Sequence, residues 1–103
     1  MNIVNRGFIK VKALQPFIQW ANTKDEEFHL DNDIEPNIYL IEEDFFDVEP
    51  LIKSNFKKIF LNELEMVDDD ADNYPEITFD TFNEWFSIEI GNTVFDCEDS
   101  DLN

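Results

Sequence analysis

Asp68, Asp70 and Asp72 stand at alternate positions, and Glu76 follows four residues later. Carboxylates at the first, third and fifth positions open the calcium loop of an EF-hand, because a short acidic run can wrap one hard cation. Asn73 falls at the sixth position, where a sharp turn calls for glycine; asparagine tolerates that turn better than most residues. Tyr74 can offer a backbone carbonyl and Glu76 an oxygen at the ninth position. The bidentate glutamate of the twelfth position is missing, since that residue is Phe79, and Pro75 at the eighth is foreign to the pattern. The pattern reads first as a solvated acidic loop, with weak calcium binding by Asp68, Asp70, Asp72 and Glu76 as the alternative. No other cofactor is expected.

Two more clusters have side chains suited to chemistry. Glu42, Glu43 and Asp44 follow an apolar run, where carboxylates can bind a metal or move protons, or can simply solvate and cap the approach to a helix. His29 lies among Asp25, Glu26, Glu27 and Asp31, which would favour its protonated form. Beyond these the chain is poor in reactive groups. It has one histidine and one cysteine, Cys97, so neither a four-ligand zinc site nor an internal disulfide can form. Serine occurs only at 54, 87 and 100, with no nucleophile elbow, and Gly7 and Gly91 are too isolated to cradle a phosphate. The chain is read as non-enzymatic. An enzyme would need a pocket holding at least two of Glu42, Glu43, Asp44 and Glu84.

The charge is the largest departure from ordinary composition. Across 103 residues there are 25 acids and 7 Lys or Arg, a net −18. Residues 25–47 and 68–103 carry all but three of the acids and no base, residues 48–67 are neutral overall, and residues 1–24 are basic. Such a chain repels nucleic acid and anionic lipid, whose recognition rests on Lys and Arg neutralising phosphates. It attracts basic proteins at long range. The partner expected is therefore a basic protein, met by Glu42, Glu43, Asp44, Asp69, Asp70 and Asp72; the oligomeric state is not legible. No apolar run is long enough to span a membrane, and the first residues lack the features of a signal peptide, so a cytoplasmic location is expected.

The elements that must position these residues follow from periodicity. The 15% aromatic content, with eleven Phe, argues for a folded core despite the charge. Residues 3–14 alternate, with Ile9, Val11 and Ala13 on one face and Arg6, Phe8, Lys10 and Lys12 on the other, as in a half-buried strand. Residues 15–22 predict a short helix with Phe17, Trp20 and Ala21 on one side. Residues 37–41, NIYLI, are apolar on both faces and predict a central strand. The strongest helix spans 47–67, with Asp47 as cap and a stripe of Val48, Ile52, Phe56, Ile59, Phe60 and Leu64. A short helix follows over 78–86, entered by Thr78 or Asp80. Residues 86–97 read either as a hairpin turning at Gly91-Asn92, pairing Ile88 with Phe95 and Phe86 with Cys97, or as a helix running on to Ile90.

The fold class is therefore α+β, a small antiparallel or mixed sheet with helices packed on one face. It forms one domain over 1–97, with a polar tail at 98–103. The segments VNRGFIKVKALQPFIQWAN, NIYLIEEDFF, LIKSNFKKIFLNEL, FNEWFSIEI and VFD resemble a group of small acidic bacterial proteins of unknown function. The resemblance runs from about Val4 to Asp96. It implies a compact bacterial domain and brings no activity or site residue with it. The function expected is an interaction or inhibitor-type module that docks a basic partner through acidic surface; the alternative is the weak cation-binding loop.

Overall fold

Gly7–Ala13 is the strand around which the other elements are laid. The structure is a computed structural model, and it describes residues 1–24, 35–42 and 45–98. In chain order these form β1 (Asn2–Val4), β2 (Gly7–Ala13), α1 (Gln15–Lys24), β3 (Asn37–Ile41), α2 (Val48–Glu65), a 3-10 turn (Ala71–Asn73), α3 (Phe79–Trp85), β4 (Phe86–Gly91) and β5 (Val94–Asp96). The fold is α+β.

The strands make a three-stranded antiparallel sheet of order β3-β2-β4 and a two-stranded one of β1 with β5. In the larger sheet Ile9 pairs with Tyr39 on one side and Ile90 on the other. Its inner face carries Ile9, Val11, Ile41 and Phe86, all buried; its outer face carries Lys10, Lys12, Ile38, Leu40 and Glu89. The alternation predicted over residues 3–14 as one strand holds within β2; residues 3 and 4 belong to β1 in the other sheet, and Asn5 and Arg6 to neither strand. Lys10 reaches its cross-strand neighbour Glu89 at 3.9 Å.

Two expectations need correction. Among the described residues NIYLI is an edge strand, not a central one: it pairs there with β2 alone, and Ile38 and Leu40 are 55% and 52% exposed. Residues 86–97 form neither the hairpin nor the continued helix. The chain leaves α3 at Trp85 and stays extended, so Ile88 pairs with Val11, Phe86 with Ala13 and Phe95 with Ile3. A two-residue hairpin at Gly91-Asn92 would need a positive φ, and no described residue, glycine included, has one.

The same two stretches of chain therefore build both ladders. Three residues separate Val4 from Phe8, whereas two separate Gly91 from Val94, so the N-terminal stretch carries one extra residue at the junction. The ladder breaks here at a bend, and the two strands pair again as part of a separate sheet. Gly7 sits at the bend, where a Cβ would meet the carbonyl oxygens of Gly91 and Glu42 at 3.0 and 3.1 Å and the Phe45 ring at 3.1 Å.

The helices cover the inner face. α1 contributes Phe17 and Ala21, and α2 contributes Leu51, Phe56, Ile59, Phe60 and Leu64 to one buried cluster. The stripe predicted for α2 is correct from Phe56 onward. Its first turn is rotated, so that Leu51 is buried while Val48 is 45% exposed. Asp47 occupies the N-cap without a side-chain hydrogen bond. Thr78 does cap α3: its Oγ1 accepts from the Thr81 amide at 3.2 Å. Replacing Thr78 by alanine is expected to lower stability by about 1 kcal/mol, with serine restoring most of it. Urea unfolding of the two variants checks this; equal stability of wild type and Thr78→Ala would remove the cap from the account.

Candidate functional site

Helix α2 buries one charge. Glu63 lies at the i+4 position from Ile59 and i+3 from Phe60, so the helical period turns it inward with the apolar stripe. It is 5% exposed. Its Oε2 accepts hydrogen bonds from the Asn37 amide at 2.7 Å and the Tyr39 hydroxyl at 2.8 Å. Asn37 and Tyr39 alternate along β3 and so share the face turned to the helix. The Tyr39 oxygen accepts in turn from Asn62 Nδ2 at 3.0 Å. Desolvation raises the Glu63 carboxyl above its ordinary value, and the two donors partly oppose it. Desolvation also raises the Tyr39 phenol, Asn62 pulls it back, and Glu63 adds to the rise. Tyr39 is therefore held as a neutral donor. The four side chains hydrogen-bond one another, and this network ties β3 to α2.

Beside the network runs a groove of about 800 Å³ between β3 and α2. One wall is four consecutive residues, Tyr39 to Glu42; the other is the α2 face that carries Asn55, Ile59 and Asn62. Arg6 and Lys58 line it as well. Because consecutive residues of a strand point to opposite faces, a wall that uses four in a row is the strand's edge.

The run of aspartates after α2 is a tied loop. Asp68 Oδ1 accepts from the Asp70 amide at 2.9 Å and Asp68 Oδ2 from Asn73 Nδ2 at 2.8 Å. Asp70 Oδ1 accepts from the Asp72 amide at 3.0 Å. The Tyr74 hydroxyl donates to the Asp68 carbonyl at 2.8 Å, and Trp20 Nε1 donates to the Asn73 carbonyl at 3.0 Å, pinning the loop to α1. The bond from the Asp70 amide holds the Asp68 carboxyl below its usual range, helped by Asn73 and the field of Lys24. Desolvation and the acids Glu65, Asp68, Asp69 and Asp70 raise the Tyr74 phenol. Asp69, Asp70, Asp72 and Glu76 are exposed.

Comparison of the chain with protein-family models, with curated proteins and with solved structures finds no match.

The proposed site residues thus fall in different places. Asp68 and Asp70, at the first and third positions of the expected calcium loop, direct oxygens to amides of their own loop, and a cation would have to compete with those donors. Among the described residues no three His, Cys, Asp or Glu side chains are grouped so as to hold a metal ion. Glu42 lines the groove, next to Ser54, whereas the aspartates begin beyond Glu65. Ser54 and Glu65 are eleven positions apart along the helix, about 16 Å. Glu42 and Asp69–Asp72 are accordingly not one surface patch. Glu84 lies exposed on α3 and takes no part in the groove wall. Glu43, Asp44 and the cluster around His29 lie outside the described residues. No described helix is long and apolar enough to cross a membrane. Sequence reasoning missed Glu63 and the groove. The signal for Glu63 was present: a glutamate inside the apolar stripe of an amphipathic helix is a charge that must find a partner.

Proposed function

We propose that this chain is a non-enzymatic interaction module that docks a basic partner protein through the carboxylate ridge of residues 68–76. The observation that carries the reading is the internal bracing of that ridge. Asp68 and Asp70 bind backbone amides of the loop, Tyr74 closes it on the Asp68 carbonyl, and Trp20 fastens it to α1. Asp69, Asp70 and Asp72 are thereby displayed on ordered backbone, so a partner need not pay the entropy of ordering a floppy acidic segment. The net charge of −18 supplies a long-range field that speeds encounter with a basic surface and weakens with salt.

The test compares two neutralised variants of equal charge. One is Asp69→Asn, Asp70→Asn, Asp72→Asn; the other is Asp80→Asn, Glu84→Gln, Glu89→Gln, away from the ridge. Each is immobilised and exposed to a cell lysate at low ionic strength, then eluted with salt. The expected result is retention of a discrete basic protein by wild type and by the second variant, with at least tenfold loss in the ridge variant. Equal loss in both would reduce the attraction to bulk charge and remove the ridge as a docking site.

A further inference from the structure

The outer side of β3 leaves unusual material in the open. An exposed strand edge is a template for another strand, and proteins blunt it with charges, proline or a bulge. Within Asn37–Ile41 there is no charge, no proline and no glycine. Among the described residues the strand pairs with β2 alone. Its other edge faces the groove of about 800 Å³, with α2 as the far wall. The two walls are of similar length: Ser54 to Asn62 on the helix spans about 12 Å, and Tyr39 to Glu42 about 10 Å. A groove with a strand edge on one side and a helix face on the other is the geometry in which an extended segment adds to a sheet.

The charges of the groove are also out of character for the chain. Two of its seven basic residues, Arg6 and Lys58, line this groove against one acid, Glu42. Among the described residues neither has a carboxylate partner; the ion pairs present are Lys10 with Glu89 and Lys53 with Glu49. Among the described residues Arg6 donates to the carbonyl of Asn5, at 2.7 Å. A second copy of the chain is a poor occupant, since each copy carries a net −18 and the two bodies repel.

We propose that this groove binds an extended segment of another protein, which adds as a strand to the free edge of β3 and carries an acidic group that meets Arg6 and Lys58. Main-chain hydrogen bonds to β3 hold it, and its alternate side chains enter between β3 and α2. This surface is separate from the 68–76 ridge, so either reading can fail alone.

The experiment selects binders to the full chain from a displayed library of random octapeptides, then measures labelled synthetic copies by fluorescence anisotropy. The expected binders alternate apolar residues and carry an acid near one end. N-methylation of a central peptide amide should weaken binding at least tenfold without any change to the protein. Arg6→Glu with Lys58→Glu should weaken it at least tenfold too, whereas Lys12→Glu with Lys53→Glu, and the neutralised ridge variant, should leave it within twofold. Failure to enrich any binder, indifference to N-methylation, or indifference to the Arg6 and Lys58 reversal would each overturn the proposal. So would sedimentation of the free chain as a dimer that Leu40→Lys converts to monomer, which would assign the edge to a second copy.

Discussion

Replacing Phe60 by alanine is expected to cost about 3–5 kcal/mol of folding stability, among the largest losses a single side chain here can cause. Phe60 has no exposed surface. Its ring lies 5.8 Å from Phe82, 5.9 Å from Trp85 and 5.5 Å from Phe86, the last edge-on. It therefore joins α2 to α3 and to the first residue of β4. Alanine removes the transfer energy of the ring, leaves a cavity, and breaks aromatic pairs of about 0.5–1.5 kcal/mol each. A domain of this size is stable by about 5–15 kcal/mol, so the variant should be marginal near physiological temperature. Phe60→Leu fills much of the volume and should cost less than half as much. Phe46, fully exposed, gives the contrast: Phe46→Ala should stay within about 0.5 kcal/mol of wild type. Urea midpoints at unchanged slope check all three. A Phe60→Ala chain with the midpoint of Phe46→Ala would mean that the aromatic cluster does not hold the helices to the sheet.

Much of this core is legible in the chain. Ile59, Phe60 and Leu64 recur at the helical period, Ile9 and Val11 at the strand period, and Thr78 announces α3 by its capping chemistry. These signals are local, because a periodic face or a cap is set by residues within one or two turns. The misplaced pieces were settled by distant partners. NIYLI reads as buried on both faces, but how many neighbours a strand has depends on what else pairs with β2. There β4 takes one side and β3 is left at the margin. Gly91-Asn92 has the composition of a tight turn, but the ladder to β2 and β1 offers Phe86 to Asp96 a better set of partners if it stays extended.

The site divides along the same line. The bracing of Asp68 and Asp70 is local Asx geometry, and the sequence points to the right residues while leaving open whether a cation or the loop's own amides receive the oxygens. The groove has no motif. Its walls come from residue 6, residues 39–42 and residues 54–62, and only the register of β3 on β2 brings Arg6 beside Glu42. Glu63 falls between these cases, since its position in the stripe is visible but its donors, Asn37 and Tyr39, lie more than twenty residues away.

Glu63 should accordingly give the most informative pH dependence. Because desolvation raises its pKa in the folded chain, the native state keeps a proton that the unfolded chain has already lost over a window starting near 4.5, the ordinary carboxyl value. In that window the native state binds more protons, so stability falls as pH rises, and above it the buried charge is a net burden. Glu63→Gln keeps an oxygen for both donors and removes the charge. It should be more stable than wild type at pH 7, and the difference should shrink as the pH is lowered toward 4. Glu63→Ala removes the acceptor itself, leaving the Asn37 amide and the Tyr39 hydroxyl to find other partners, at a cost of about 1–3 kcal/mol. Alanine thus separates the value of the hydrogen bonds from the penalty of the charge. Unfolding of the three proteins at a series of pH values reads out both effects. A glutamine variant whose advantage is the same at pH 4 and pH 8 would show that burial does not raise the Glu63 carboxyl. An alanine variant as stable as wild type would show that the network does not fasten β3 to α2.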